Sequence, residues 1–208
     1  MTKKPNLGMT EDLAYLLGAI KGNGSVSSNK KYLYKDGKYW HKLYNISFHN
    51  QDFEFSRKIY HIMKDINLNP AFCNEKACLL VSACSKTMRE WYAQLNIHDI
   101  EKILKQNRKY ILAFICGFYE AQGCYYYETG VKHPYTTITD GNEELITLIH
   151  KLISELGFNA KLYKIKRGKT AFKEGFAFFI HIRRKGEAER FIKMINPCFK
   201  NEPSNKWF

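Results

Sequence analysis

Apolar positions along the chain follow two rhythms, one of three and four residues and one of two. The first helical run is 10–22, with Thr10 to Glu11 placed to cap it. Period-two runs at 25–34 and 39–48 then flank Asp36-Gly37, a hairpin signal. Helical spacing returns over 52–65, where Phe55, Ile59, Ile62 and Met63 fall at i, i+4, i+7 and i+8. A second hairpin is expected over 72–83, turning near 74–76, and a helix over 85–95. The polar stretch 96–107 carries Ile97, Ile100, Ile103 and Leu104, a spacing that predicts a short helix in the connection. From there the order repeats: helix 108–122, strands 125–128 and 135–139, helix 142–156 ending at Gly157, strands 161–167 and 176–184, and helix 187–195. The predicted fold is therefore mixed α/β of the α+β type, an αββαββα unit made twice. The repeats are 1–105 and 106–208, packed intimately as one unit about a pseudo-two-fold axis.

Two helices in this series read alike. The first contains Leu16-Leu17-Gly18-Ala19-Ile20-Lys21-Gly22-Asn23-Gly24 and the second Ile115-Cys116-Gly117-Phe118-Tyr119-Glu120-Ala121-Gln122-Gly123. Gly18 and Gly22 are four apart, on one helix face, and Gly117 and Ala121 repeat the arrangement. Small residues so spaced let two helix backbones approach closely. Gly24 and Gly123 fit the position past a helix end, where a left-handed turn is expected. If the two helices pack together, Asn23 and Gln122 converge at one point on the pseudo-axis.

The pair of motifs resembles the LAGLIDADG homing endonucleases in their single-chain, two-motif form, and among these the archaeal intron-encoded type. The resemblance covers both halves and almost the whole chain. It implies two curved antiparallel sheets that bind DNA, with helices on the opposite face. The family carries Asp or Glu at the eighth motif position, where this chain has Asn23 and Gln122. Both amides match the acids in shape and lack only the charge. An inactivating double substitution would produce them, and so would a natural pseudoenzyme that kept DNA binding. The resemblance implies a catalytic and metal site at Asn23 and Gln122, with the carbonyls of Gly22 and Ala121 beside them. Its cofactor would be Mg2+ or another divalent cation, held more weakly by the amides. Tyr125 stands where some relatives place a catalytic lysine. Glu120, two residues before Gln122, is turned away from it on the helix and is expected to be solvated or salt-bridged.

Charge changes the picture by naming a partner. The chain has a net charge of +13. Residues 1–105 carry 16 Lys+Arg against 10 Asp+Glu, and residues 106–208 carry 17 against 10, so the halves contribute +6 and +7. Two similarly basic halves suit a polyanion spanning both, nucleic acid first. Segment 161–185 is densest, with nine Lys+Arg against Glu174 alone. Strand alternation puts Tyr44, Ile46 and Phe48 toward the core and Asn45, Ser47 and His49 outward. Ser25, Ser27, Asn29 and Lys31 share a face, Lys164 and Lys166 share one, and so do His181 and Arg183. These residues are the candidate DNA contacts, since a curved sheet can enter the major groove. His49 is also placed to order solvent near the cleavage point.

The six cysteines form no C-x-x-C pair, and no His tract completes a zinc pattern. Reduced thiols point to an intracellular, cytoplasmic protein, and the resemblance implies that it acts on nucleoid DNA. No run approaches a membrane span and no signal-peptide core is present at the start. The expected function is site-specific double-strand DNA cleavage for intron homing by a monomer on a long pseudo-palindromic target. The present chain would be its cleavage-blocked form. The alternatives are an RNA-binding maturase acting on intron RNA and a non-catalytic DNA-binding regulator.

Overall fold

The computed structural model describes residues 4–32, 40–75, 78–127, 133–167 and 175–205. The first half runs α1 (Glu11–Asn23), β1 (Gly24–Tyr32), β2 (Trp40–Asn50), α2 (Phe53–Asp65), β3 (Ala71–Glu75), β4 (Cys78–Cys84) and α3 (Lys86–Gln94). A connecting helix α4 (Ile97–Leu104) leads to the second half. That half runs α5 (Arg108–Gln122), β5 (Gly123–Tyr127), β6 (Tyr135–Asp140), α6 (Glu143–Glu155), β7 (Lys161–Arg167), β8 (Gly175–Ile182) and α7 (Glu187–Ile195). The hairpin tip expected at Asp36-Gly37 lies outside the described residues.

Caps set the helix starts. Thr10, Asp52, Ser85 and Asn142 each accept a backbone N–H three residues on. Asn96 and Asp99 form a reciprocal capping box at α4.

Each half builds one four-stranded antiparallel sheet, ordered β1-β2-β4-β3 and β7-β8-β6-β5. A two-residue strand β9 (Ser204–Asn205) adds to the second sheet, parallel to β5. It was not expected from the sequence, because two residues at a sheet edge carry no periodicity. The helices cover one face of each sheet, and a single apolar core runs through both halves. From α1 it takes Leu13, Leu16 and Leu17, from α5 Phe114, Ile115 and Phe118, and from the sheets Ile46, Phe48, Val81, Ile138, Ile180 and Ile182. Among the described residues no helix is long and apolar enough to cross a membrane.

Helices α1 and α5 make the most extensive helix–helix contact. A Cβ on Gly18 would run into the Phe114 carbonyl, and one on Gly117 into the Tyr15 carbonyl. A Cβ on Gly22 would stand 2.5 Å from that of Ala121. The two backbones therefore approach too closely for any side chain at Gly18 or Gly117.

Gly24 and Gly123 are not left-handed, contrary to expectation. Their φ values are −83° and −84°, and each passes straight from helix into strand. Glycine is needed there for space. A Cβ would strike the Ile20 backbone and Phe48 ring in one case and the Tyr119 ring in the other.

Candidate axial site and nucleic-acid interface

Both motif helices end together, and their amides diverge in role. Gln122 reaches across to α1, donating from Nε2 to the Gly22 carbonyl at 2.5 Å. Its Cγ would lie 3.3 Å from a Cβ on Gly22. Asn23 is exposed and stays with its own half, donating from Nδ2 to the His49 carbonyl at 3.2 Å. The approximate two-fold relation is thus broken at the point where it was expected to be tightest.

Magnesium prefers oxygen ligands and is usually held through carboxylates. Asn23 and Gln122 offer only neutral amide oxygens, and the Gly22 carbonyl already accepts the Gln122 amide. These residues as they stand do not fit a resident hard dication.

Of the two roles expected of Glu120, the structure shows the salt bridge and not the solvated one. Glu120 is fully buried, and accepts from the Tyr15 hydroxyl and the Cys198 backbone N–H. Lys58 lies 3.9 Å from its carboxylate and 3.8 Å from the Tyr15 ring centroid. Lys200 Nζ donates to the Glu120 carbonyl at 2.8 Å. Burial first, and the Glu120 carboxylate second, push the Tyr15 phenol well above its ordinary pKa, so Tyr15 remains the donor. Glu120 therefore ties α5 to α1 and to the returning C-terminal segment. Lys21, at the matching place in α1, lies 4.6 Å from the Tyr92 ring centroid, and burial lowers its pKa. Tyr125, at the position of the lysine helper, is buried, and desolvation pushes its pKa up to about 12.

The first sheet sorts its faces as alternation requires. Ile46 and Phe48 lie in the core, and their partners across β4 are Ala83 and Val81. Ser25, Ser27, Asn45, Ser47 and His49 lie on the opposite, helix-free face. Ser47 is covered by its strand neighbours, opposite Ser25 on one side and Ser82 on the other. Asn29 and Lys31 belong to β1, opposite Leu43 and His41; their side chains are outside the described set.

The second sheet separates two pairs of basic residues. His181 and Arg183 share the helix-free face, with the Arg183 guanidinium 4.5 Å from the Tyr135 ring centroid. Lys164 and Lys166 fall on the helix side. Lys164 is opposite the buried Phe178 and ion-pairs with Glu143 of α6 at 3.2 Å. Lys166 follows it in register, opposite Phe176. The physical reason is the pleat: Leu162 faces buried Ile180, so residues 164 and 166 take the same side. Lys161, opposite His181, faces the free side instead. With Asn159, Tyr163, Arg183 and Arg184 it lines a cavity of about 240 Å³ beside His181. Sequence reasoning missed Lys161 and Tyr163. Parity with His181 across the β7–β8 hairpin was the signal, and it needs the register to be known.

Residues 109–196 match the LAGLIDADG-like domain. An uncharacterized protein of Methanocaldococcus jannaschii is 28% identical over 181 residues, 84% of this chain and 65% of that protein, so the chain spans about 65% of the curated relative's length. Among solved structures, mesophilic variants of the homing endonuclease I-DmoI align with a TM-score of 0.63 at 19% identity, over 89% of this chain and 95% of theirs. I-DmoI in complex with DNA and Mn gives 0.63 at 18%, over 89% and 96%. The N-terminal LAGLIDADG domain of DUF199/WhiA gives 0.59 at 16%, over 89% and 80%. The architecture is that of the LAGLIDADG fold, in the doubled form seen in I-DmoI. The domain match falls within the second half, from α5 to just past α7.

Proposed function

We propose that this chain is a site-specific DNA-binding protein built on a homing-endonuclease scaffold, blocked in double-strand cleavage at Asn23 and Gln122. The observation that carries the proposal is the axial point itself. Two helices packed backbone to backbone at Gly18 and Gly117 end in a pair of amides, one of which is bonded to the other helix's last turn. Two sheets flank that point, each with a helix-free face.

On this proposal the free faces enter the grooves of a long, pseudo-palindromic duplex on either side of the axis. Ser25, Ser27, Asn29, Lys31, Asn45, Ser47 and His49 serve one half-site, and Lys161, Tyr163, His181 and Arg183 the other. Arg183 is suited to guanine and Asn45 to adenine; serines and lysines serve phosphate as often as bases. Lys164 and Lys166 lie at the rim and act on backbone phosphates at most. One chain supplies both halves, so a monomer suffices. An ancestral or parental form with Asp and Glu at the two positions would hold Mg2+ and cleave. Solved I-DmoI complexes with DNA include Mn and Ca forms, which supports a divalent ion for that parental chemistry.

The test is the double change Asn23→Asp with Gln122→Glu, incubated with magnesium and a DNA library of candidate intron-insertion sequences. Site-specific double-strand breaks, absent with the unsubstituted chain, are the expected outcome. The axial pair, as amides rather than carboxylates, also favours a second possibility, a non-catalytic DNA-binding regulator. That protein would bind duplex and remain inert after the double change. Tighter binding to folded intron RNA than to any duplex would instead identify a maturase.

A further inference from the structure

The free face of the first sheet gathers a set of side-chain donors that includes His49, whose backbone carbonyl accepts from Asn23 while its imidazole points to other partners. His49 on β2, Glu75 on β3 and Cys78 on β4 bring one ligand atom each to within 4.8 Å of one another. The register explains how residues so far apart in sequence meet. Strand β4 lies between β2 and β3. Cys78 is directly opposite Glu75, while His49 is opposite Leu80, two places along β4 on the same face. His49 Nδ1 is 3.9 Å from Cys78 Sγ and 3.9 Å from Glu75 Oε2.

These distances are close to what a metal requires. Zinc bonds of about 2.0–2.3 Å in a tetrahedron place ligand atoms roughly 3.3–3.6 Å apart. Small rotations of exposed side chains close the difference; His49 and Glu75 are each about half exposed. The donor types choose the metal. A thiolate with an imidazole and a carboxylate selects a borderline-soft transition ion, whereas magnesium takes oxygen alone. Three protein ligands leave the fourth tetrahedral position open, on the side away from the helices.

Charge supplies a further argument. Glu75 is an acid on a helix-free face of a chain whose net charge is +13. Binding displaces the Cys78 thiol proton to solvent, so a dication with one carboxylate and one thiolate makes a neutral set and removes that negative spot. We propose that His49, Glu75 and Cys78 form a zinc site on the free face of the first sheet, distinct from the axial point.

Metal binding is read without DNA, so its outcome is independent of the proposed cleavage scaffold. Cobalt(II) is titrated into the full-length reduced chain and followed by thiolate-to-cobalt charge-transfer absorption. The expected band saturates at one equivalent and is displaced by zinc. Cys78→Ser abolishes it, and His49→Ala and Glu75→Gln weaken binding. Cys73→Ser with Cys84→Ser, which removes two other cysteines of the same sheet, leaves it intact. Circular dichroism on each variant establishes that it is folded. As a second readout, zinc raises the Tm of the unsubstituted chain, raises that of Glu75→Gln less, and leaves that of Cys78→Ser unchanged. No band with the native chain, a band that survives Cys78→Ser, or one that needs Cys73 or Cys84 overturns the proposal.

Discussion

Gly117 shows how much a single hydrogen in place of a methyl can decide. The Tyr15 carbonyl occupies the space its Cβ would need, and Phe114 does the same to Gly18. Backbone cannot swing aside as a side-chain tip can, so Gly117→Ala forces α1 and α5 apart. The expected cost is about 1–3 kcal/mol, the usual range for overpacking. Urea denaturation of Gly117→Ala beside Gly141→Ala measures it. Gly141 has open space around it, so its substitution is expected to change stability by less than about 0.5 kcal/mol. At this scale the small-residue spacing was legible, because four-residue periodicity needs only local sequence. The reason for Gly24 and Gly123 was not. A glycine after a helix is ambiguous between positive φ and crowding, and only the Phe48 and Tyr119 rings resolve it. The burial of Glu120 was illegible for a similar reason, since one of its partners, Cys198, is 78 residues distant.

Among elements, α4 is more than a connection. Its Glu101 accepts ion pairs from Lys105 at 2.9 Å and from Lys151 of α6 at 2.6 Å, and Lys105 also reaches Glu155 of α6 at 2.7 Å. The hydrogen bonds from Lys151 and then Lys105 lower the Glu101 pKa from 4.5 to about 2. A carboxyl depressed in the folded state stabilises the fold fully above its unfolded pKa. That contribution is lost as pH falls from about 4.5 toward 2. Glu101→Gln is therefore expected to lose less stability than the native chain across that window, a difference read from denaturant midpoints at a series of pH values. An identical acid profile for both proteins would show that the pairs are too solvated to matter. The strands were legible from alternation, including the core-facing Ile46 and Phe48. Which face Lys164 takes was not, because a count of charges carries no parity; the Leu162–Ile180 pairing sets it.

For the molecule as a whole, the divided positive charge makes a prediction about solution conditions. A protein that neutralises phosphates along a duplex releases their counterions. If both sheets engage DNA as proposed, affinity falls on the order of a thousandfold between about 50 and 200 mM salt. Fluorescence anisotropy with a labelled duplex at stepped salt concentrations gives the slope. A nearly flat response would exclude extensive phosphate contact by both sheets. The doubled architecture was legible because its two motif helices repeat at fixed spacing. The broken symmetry at their ends was not, since Asn23 and Gln122 are both carboxamides and only the folded chain shows that they bond to different carbonyls.

Where α1 stops at Asn23, β1 begins at Gly24, and where α5 stops at Gln122, β5 begins at Gly123. There is no slack at either junction. A loop would let the sheets tilt while the helix ends stayed still. Here a strand displaced by an ill-fitting duplex must drag its amide with it, through one peptide bond. On the proposed function, this makes the molecule a stiff caliper: its jaws are the sheets, its pivot is the α1–α5 contact, and a mismatch at the tips is registered at the centre as misalignment. Discrimination between targets would then need no separate checkpoint.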